Sequence, residues 1–390
     1  MAPPRTLHGR DIVCVGFADW DTELWTNQHH LMSRLAHENR VLFVESLGLR
    51  RPQLAGRDLR RIARRLRRGL APPRSHDGLS VLSPLVIPLH GNRLVRALNA
   101  RLLPALVGRA ARRLGLRRPI LWSYVPQAEA LLDVLDPSLV VYHCVDDISA
   151  LALIDTASFL AAERRFAARA DLVLASAPEL VRRMRELSHN VLEAPNVADT
   201  ELFATALLAG PDDPGIAALP HPRVVFTGAI SSIKIDVPLL AELARSRPHI
   251  SFALVGPVGA GDPRTDVSEL AAEPNVHLLG MRAYADLPAV LRGADAALIP
   301  YARNELTDSI FPMKVYEYLA AGLPVVSTPL PALAQVPQVA KAADAAGLGR
   351  LLDEALARGG AAERADRSRA AMSHSWERRL IEIGEAVEAL

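Results

Sequence analysis

Length, composition and charge place the chain among folded globular proteins. Its 390 residues are 50% hydrophobic and 23% charged, which excludes a disordered chain and suits two domains of ordinary size. The net charge of +2 hides an asymmetry, because residues 1–120 carry 22 Lys+Arg against 8 Asp+Glu, whereas residues 121–390 carry 23 against 35. Neither a signal peptide nor a membrane span of about 18 apolar residues is predicted. The only cysteines, Cys14 and Cys144, favour a reducing cytoplasm over a disulfide framework.

Short β-rich runs alternate with longer helical patterns along the chain, which is typical of parallel α/β layering. The runs of the first series are 11–17, 40–46, 79–88, 119–125, 139–145, 170–177 and 190–196, and those of the second are 223–230, 250–258, 275–280, 294–301 and 323–328. The pattern predicts two doubly wound, Rossmann-like domains whose parallel sheets face a central cleft.

A Pro/Gly/Asp-rich stretch between the two series predicts a linker at 209–222. We therefore expect a first domain at 1–205 and a second at 206–365. The tail from Ala340 reads as helical, and its last part, 366–390, is predicted as an amphipathic helix that packs back on the first domain.

The segment 308–328, DSIFPMKVYEYLAAGLPVVST, combines an anion site with a hydrogen-bonding carboxylate. Its pattern predicts a helix from Pro312 to Ala321 whose first-turn N–H groups and Lys314 attract a phosphate. Glu317 lies on roughly the same face, where it would accept hydrogen bonds from a ribose diol. The alternative is an ordinary capped helix with a surface Lys–Glu pair.

Two glycine turns after strands of the second series point to the same kind of ligand. The turn at Gly228 would let a phosphate approach the backbone, with Lys234 within reach. The turn at Gly280 to Arg282 would offer backbone groups to a nucleotide base. Solvent exposure of Lys234 and a simple turn at Gly280 are the alternatives.

Acidic and histidine side chains follow two strands of the first series. Asp19 comes after the first run, and His143, Asp146 and Asp147 come at the end of a central one. These side chains could deprotonate an acceptor hydroxyl or stabilise an oxocarbenium-like transition state. Strand-end capping and structural hydrogen bonds are the alternative roles.

The order of these motifs resembles the GT-B fold glycosyltransferases of the "group 1", family 4-like class. The shared motifs are Ala194 to Asp199 with Phe203, the Gly228 turn, Leu279-Gly280, Asp295 to Pro300, and Lys314-x-x-Glu317 through Gly322-Leu-Pro-Val-Val326. The resemblance implies a second domain that binds a nucleoside diphosphate sugar of the UDP, GDP or dTDP type, without a bound metal or other cofactor.

The resemblance assigns the diphosphate to Lys234, the ribose to Glu317, the base to the loop 280–282 and the sugar to the loop 308–313. One departure concerns the sugar, because Ser309 stands where many members have a sugar-gripping glutamate. Asp308, Ser309 and the backbone of Ile310 to Met313, which includes Phe311, are therefore expected to hold the sugar. The arginine that often accompanies the turn lysine also has no match in GAISSIKID.

The chain is thus predicted to transfer a hexose or deoxyhexose to a hydroxyl acceptor with retention. A GT-B epimerase or phosphorylase and, more remotely, a non-enzymatic sugar-binding protein are the alternatives. The basic segment 57–74 predicts an amphipathic helix suited to the inner membrane surface, or a solvated arginine face. Nucleic acid is not predicted as a partner, because aromatic residues do not interleave with these arginines.

Overall fold

The computed structural model describes residues 7–47, 72–76, 78–85, 93–150, 154–262, 264–358 and 360–390. It divides into two compact units, Met1–Pro195 with Leu380–Leu390, and Asn196–Arg379. The boundary after Pro195 lies ten residues before the predicted one at 205/206. Of the predicted C-terminal helix, 366–390, only residues 380–390 belong to the first unit.

The first unit contains an eight-stranded sheet in the order β3-β4-β2-β1-β5-β6-β7-β8. Its strands are β1 Asp11–Val15, β2 Arg40–Val44, β3 Arg74–His76, β4 Leu79–Leu82, β5 Ile120–Ser123, β6 Leu139–Cys144, β7 Leu172–Ala175 and β8 Val191–Glu193. All neighbouring pairs are parallel apart from β3 with β4.

The helices of the first unit connect successive parallel strands. They are Asn27–Leu35, Arg93–Arg113, Leu132–Leu135, Thr156–Ala167 and Pro178–Arg185, with short 3-10 turns at Pro126–Leu131 and Ile148–Ala150. Parallel strands need such crossovers, so the alternation in the sequence becomes layers of helix on a sheet.

The second unit contains a six-stranded parallel sheet in the order β11-β10-β9-β12-β13-β14. Its strands are β9 Arg223–Thr227, β10 Ser251–Val255, β11 Val276–Gly280, β12 Ala296–Ile299, β13 Val325–Ser327 and β14 Val339–Lys341. Strands β9, β10, β12 and β13 are buried at every position, as expected for a sheet covered on both faces.

The helices of the second unit are shorter on average than those of the first. They are Thr200–Ala204, Pro214–Ala217, Val237–Ser246, Ser268–Ala271, Leu287–Arg292, Glu305–Asp308, Lys314–Ala320, Ala345–Ala357 and Ala361–Ala371, with 3-10 turns at Thr205–Leu207, Tyr284–Asp286 and Pro331–Leu333. The last helix, Trp376–Glu388, begins in the second unit and ends in the first.

All twelve predicted strands are present, but two further strands escaped prediction. Val339–Lys341 is a strand, so the prediction that the tail is helical from Ala340 was wrong, and the first tail helix begins at Ala345. Arg74, the last residue of the predicted basic helix, lies in β3. The rest of that segment up to 71 lies outside the described residues. Both strands are three-residue edge strands, too short to show a periodic pattern.

The predicted linker is a structured part of the second unit. Arg223 donates to the carbonyls of Ala217 and Leu219, and Arg292 donates to those of Leu208 and Pro211. Hydrogen bonds from guanidinium groups thus hold this Pro/Gly-rich stretch against the domain, and it does not act as a free connection.

Among the described residues, no helix is both long and apolar enough to cross a membrane.

Candidate functional site

The strand order of the second unit identifies where a ligand is expected to bind. From the neighbours β9 and β12 the chain continues outward in opposite directions, through β10 and β11 on one side and β13 and β14 on the other. In doubly wound sheets, ligands bind beyond the carboxyl ends of the strands at such a switch point. The candidate site is therefore the region just after Thr227 and Ile299, the last residues of β9 and β12.

Lys314 places an ammonium group at this switch point. Its Nζ donates to the hydroxyl of Tyr301 at 2.8 Å and lies 5.2 Å from the ring centroid of Phe226 and 5.0 Å from that of Tyr301. Phe226 belongs to β9, and Tyr301 follows β12. Within the described ranges no carboxylate forms an ion pair with Lys314, so the charge is held by aromatic faces and a hydroxyl.

Gly228 and a second glycine, Gly256, allow the backbone to pass close to this lysine. Gly228 has φ +122°, and a Cβ there would lie 3.5 Å from Lys314 Nζ. Gly256 has φ +154°, and a Cβ there would lie only 1.9 Å from the carbonyl oxygen of Gly228. The turns after β9 and β10 therefore touch backbone to backbone, which only glycine permits. Sequence reasoning missed Gly256, although a glycine directly after a strand was a usable signal.

Glu317 lies one turn beyond Lys314 and is 5% exposed. Its Oε1 accepts a 3.3 Å hydrogen bond from the hydroxyl of Tyr284. Burial raises the pKa of this carboxyl to about 7, with a smaller opposing effect from Lys314 and a smaller raising effect from Asp199. The side chain is thus a buried acid next to a cation, with one long hydrogen bond from Tyr284. Neither Tyr284 nor Asp199 was predicted as a site residue. Asp199 ends one of the shared motifs, whereas no local sequence signal marks Tyr284.

The helix that carries both residues is shorter than predicted. It spans Lys314–Ala320, seven residues, because Pro312 and Met313 form the preceding turn. The amides of Val315 and Tyr316 already donate to the carbonyls of Pro312 and Met313, at 3.2 and 3.1 Å. The N–H groups of Val315 and Tyr316 are therefore not free, contrary to the expectation of a fully free first turn, and Lys314 supplies a positive charge at the site.

Tyr318 fixes this helix on the end of β9. Its hydroxyl accepts from the backbone N–H of Thr227 at 2.7 Å and lies 3.1 Å from the Thr227 hydroxyl. Burial raises the pKa of Tyr318 well above its ordinary value, so the group stays a neutral phenol. The position of Lys314 and Glu317 relative to the sheet is therefore set by a buried hydrogen bond that sequence reasoning did not anticipate.

Lys234, the second predicted phosphate ligand, lies half-buried on the same edge of the sheet. Its carbonyl accepts from the N–H of Ala302 at 2.8 Å, and the next residue, Ile235, bridges Tyr301. These contacts hold the turn after β9 against the residues that follow β12. Those residues include Tyr301, the hydrogen-bond partner of Lys314.

The side chain of Arg282 has a structural role. Its guanidinium donates to both carboxylate oxygens of Asp213, at 2.7 and 3.2 Å, and to the carbonyl of Leu279 at 2.7 Å. Hydrogen bonds from Arg282 hold the pKa of Asp213 below its ordinary value. Gly280, with φ +71°, makes the turn at the end of β11. The guanidinium of Arg282 is therefore engaged by Asp213 and Leu279.

The predicted sugar loop, 308–313, is largely buried. Ser309 is 3% exposed, and its N–H donates to the carbonyl of Leu306. The N–H of Ile310 donates to Thr307, so this amide is already used, contrary to expectation. Phe311 is 4% exposed, and its carbonyl accepts from the side chain of Asn196 at 2.9 Å. Asp308 ends the helix Glu305–Asp308 and is half-buried.

The first unit has its own switch point between β1 and β5, because the chain leaves these neighbours in opposite directions. Phe17 and Tyr124 follow the two strands and meet edge to face at 5.8 Å. His143 stacks beneath Tyr124 at 4.8 Å and is 1% exposed. The backbone carbonyl of Asp19 lies 3.1 Å from Nε2 of His29. Asp19 thus follows β1 at this switch point, whereas His143 lies one strand further on, in β6, and is buried.

The carboxylate of Asp147 makes structural hydrogen bonds, the alternative role named for it. Its carboxylate accepts from the N–H and hydroxyl of Ser149, at 3.1 and 2.5 Å, and from Arg183 at 2.8 Å. Arg183 also pairs with buried Glu163 at 3.4 Å. Asp146, one residue earlier, is half-buried, and its carbonyl accepts from Ile148. Asp147 therefore anchors the loop that carries Asp146.

In the part of the chain that the structure describes, no three His, Cys, Asp or Glu side chains gather as a metal site would require.

Comparison with solved structures defines the class of this fold. HepE of Anabaena, solved in complex with UDP and glucose, has a TM-score of 0.68 at 14% identity over 98% of this chain and 100% of HepE. Sucrose-phosphate synthase of Thermosynechococcus elongatus has a TM-score of 0.67 at 17% identity, over 97% of this chain and 98% of the other. The trehalose-6-phosphate synthase OtsA has a TM-score of 0.67 at 13% identity, with the same coverage. The chain has the two-domain GT-B fold.

Two sequence similarities accompany the likeness in fold. Residues 221–356, which include Lys314 and Glu317, match the family described as glycosyl transferases group 1. A Bacillus subtilis (strain 168) protein whose assigned role is that of a teichuronic acid biosynthesis glycosyltransferase, TuaH, is 28% identical over 237 residues. That alignment spans 56% of this chain and 57% of the length of TuaH.

Proposed function

We propose that the protein is a glycosyltransferase that moves a sugar from a nucleoside diphosphate to a hydroxyl acceptor. The observation that carries the proposal is Lys314, an ammonium group at the switch point of the second sheet. Among the described residues it has no carboxylate ion pair. Such a charge suits a phosphate, and the buried carboxyl of Glu317 one turn away suits the hydroxyls of a ribose.

The geometry favours one order of donor contacts. Lys314 and the backbone at Gly228 hold the diphosphate, with Lys234 beside them on the same edge of the sheet. Glu317 accepts from the ribose diol. The backbone after Gly280 meets the base, because the Arg282 side chain is bound to Asp213.

The first unit supplies the acceptor side in this proposal. Asp19 and Asp146, which follow β1 and β6, are the candidate groups to orient an acceptor hydroxyl. His143 supports Tyr124 from below. Asp147 holds the loop through Arg183 and Ser149.

We propose that the transfer proceeds with retention and needs no bound metal. The bond from the sugar anomeric carbon to the diphosphate oxygen breaks, and a bond from that carbon to the acceptor oxygen forms on the same face. The acceptor proton passes to the leaving diphosphate, whose developing charge is stabilised by Lys314 and Lys234. No separate general base is then required.

The relatives suggest which donors to test first. HepE was crystallised with UDP and with UDP-glucose, so UDP-hexoses are the first donors to test, followed by GDP and dTDP sugars. TuaH, named for teichuronic acid biosynthesis, is consistent with a glycan or lipid-linked acceptor.

We also propose a cytoplasmic location with peripheral contact at the inner membrane face. Cys14 and Cys144 are free, buried thiols, which suits a reducing compartment. The basic segment 57–74 would make the contact, as its arginine content predicts.

Mass analysis of the products, combined with chromatography that separates isomeric sugar nucleotides, tests this function. The full-length protein is incubated with UDP-glucose, GDP-mannose or dTDP-rhamnose, with and without a panel of glycan, lipid-linked and phenolic acceptors. A transferase yields an acceptor heavier by one sugar residue and the free nucleoside diphosphate. An isomerised donor sugar in the absence of any acceptor would instead identify an epimerase, and a sugar phosphate formed from inorganic phosphate would identify a phosphorylase.

A further inference from the structure

Three aromatic rings form a continuous stack at the candidate donor site. The ring of Tyr316 lies 4.0 Å from that of His374 with an interplanar angle of 12°, and 5.6 Å from that of Phe311 with an angle of 19°. Both neighbours are thus nearly parallel to Tyr316. Tyr316 is 6% exposed, so these packing neighbours determine where its ring lies.

The stack joins the two parts of the donor site that were predicted separately. Tyr316 lies in the helix Lys314–Ala320, between the lysine and Glu317. Phe311 lies in the loop 308–313, where the sugar is expected. A shift of the Tyr316 ring would therefore move the phosphate and ribose groups and the sugar loop together.

His374 is itself held by the start of the second unit. Its carbonyl accepts from the N–H of Ala198 at 3.1 Å, and the following Ser375 bridges the same residue. Asn196, the first residue of the unit, donates from its side chain to the carbonyl of Phe311 at 2.9 Å. Asn196, at the start of the second unit, thus contacts the loop 308–313, and His374, near its end, contacts the helix that follows this loop.

We propose that His374 and Asn196 are positioning residues for the nucleotide-sugar donor. His374 acts through Tyr316 on the helix that carries Lys314 and Glu317. Asn196 acts on the backbone of the sugar loop, through its hydrogen bond to the carbonyl of Phe311. Neither residue needs to touch the donor. This inference rests on the proposed function, since it specifies how the same site is held in shape.

Calorimetric titration of the full-length protein with UDP and with UDP-glucose tests the proposal. A stacked aromatic pair contributes about 0.5–1.5 kcal/mol, so His374→Ala should raise the Kd of both ligands by up to about tenfold. His374→Phe keeps a flat ring over Tyr316 and should restore the wild-type Kd. Asn196→Ala should weaken UDP-glucose more than UDP, because the lost hydrogen bond holds the loop where the sugar is expected.

Two controls separate this inference from the proposed function and from a loss of folding. His249→Ala removes an exposed histidine of the same unit and should bind like the wild type. Wild-type Kd values for His374→Ala, or failure of His374→Phe to restore binding when its thermal unfolding is unchanged, would overturn the positioning role while leaving the donor assignment intact. If the wild-type protein binds none of the donors named above, the proposed function fails first and this inference with it.

Discussion

At the scale of single residues, the candidate site is marked by groups whose burial opposes their charge. Glu317 is an acid inside the protein, and its pKa is raised to about 7 because burial outweighs the attraction of Lys314. A buried glutamate with a purely structural role would stabilise the protein more if hydrogen-bond donors contacted both of its carboxylate oxygens. Such a conflict between stability and charge is common at ligand sites. The spacing of Lys314 and Glu317 could be read from the sequence, but the burial that raises the pKa of Glu317 could not.

The pKa of Glu317 predicts a pH dependence of donor binding. The carboxylate accepts from a ribose diol, whereas the protonated acid is a poorer partner. Lowering the pH from 8 to 6 takes the group from mostly charged to mostly neutral, so donor affinity should fall by up to about tenfold. Calorimetry at pH 6, 7 and 8 measures this, with Glu317→Gln as the variant that should bind weakly with a flat profile. An equally flat profile for the wild type would remove the ribose role.

Gly256 provides a test of the backbone contact beneath Lys314. Gly256→Ala would place a methyl group 1.9 Å from the carbonyl oxygen of Gly228, which backbone movement alone could relieve. We expect a loss of more than about 2 kcal/mol of unfolding free energy, together with loss of donor binding.

Gly261→Ala is the matched control for this substitution. Gly261 also has positive φ, +83°, but nothing lies within 4 Å of an added Cβ. Its cost should be limited to the backbone strain of about 1 kcal/mol, with donor binding retained. Urea denaturation of both variants gives the comparison, and equal losses would show that the close approach to Gly228 is not important.

At the scale of elements, the sequence was most informative where a strand or helix had a clear period. The fully buried strands β9, β10, β12 and β13 were predicted because each is centred on consecutive apolar residues, as expected for a strand covered on both faces. The edge strands β3 and β14 were missed, since three residues carry too little pattern. The site helix begins at Lys314 and not at the predicted Pro312. The carbonyl of Pro312 accepts a hydrogen bond within a separate turn that precedes the helix.

The segment between the two series of strands shows what composition cannot reveal. Its prolines and glycines predicted a linker, but Arg223, Arg282 and Arg292 bind its carbonyls and Asp213. Arg282 and Arg292 are distant from this segment in sequence, so no local pattern indicates their pairing with it. Side chains that form tertiary hydrogen bonds were therefore the least predictable part of both the fold and the site.

Removal of the Arg282–Asp213 pair tests whether this segment is a structural part of the second unit. In Arg282→Met, the Asp213 side chain, 10% exposed, loses its bidentate partner. We expect the unfolding free energy to fall by about 2 kcal/mol, because a poorly solvated carboxylate is left unpaired. Chemical denaturation measures the change. Arg182→Met, which breaks exposed ion pairs with Glu179 and Glu186, should have a much smaller effect, and similar losses for both variants would contradict the distinction.

At the scale of the whole molecule, the two units repeat one architectural rule. Each has a mostly parallel sheet with one switch point, between β1 and β5 in the first unit and between β9 and β12 in the second. The alternation of strands and helices predicted two such sheets. It could not predict which strands are neighbours, because pairing depends on contacts between residues that are distant in sequence. Only the strand order shows that Lys314 and Gly228 share the switch point.

The most direct test of the central claim is calorimetric titration of the full-length protein with UDP-, GDP- and dTDP-hexoses. We predict that at least one binds with a stoichiometry of about one, and that Lys314→Met weakens this binding by about tenfold or more, since a charge-assisted contact to phosphate is lost. Lys341→Met is the matched control, because its ammonium donates to the carbonyl of Val336 after β13, and it should bind like the wild type. Binding of none of these donors, or equal binding by Lys314→Met and the wild type, would contradict the assignment of the second unit as a nucleotide-sugar site.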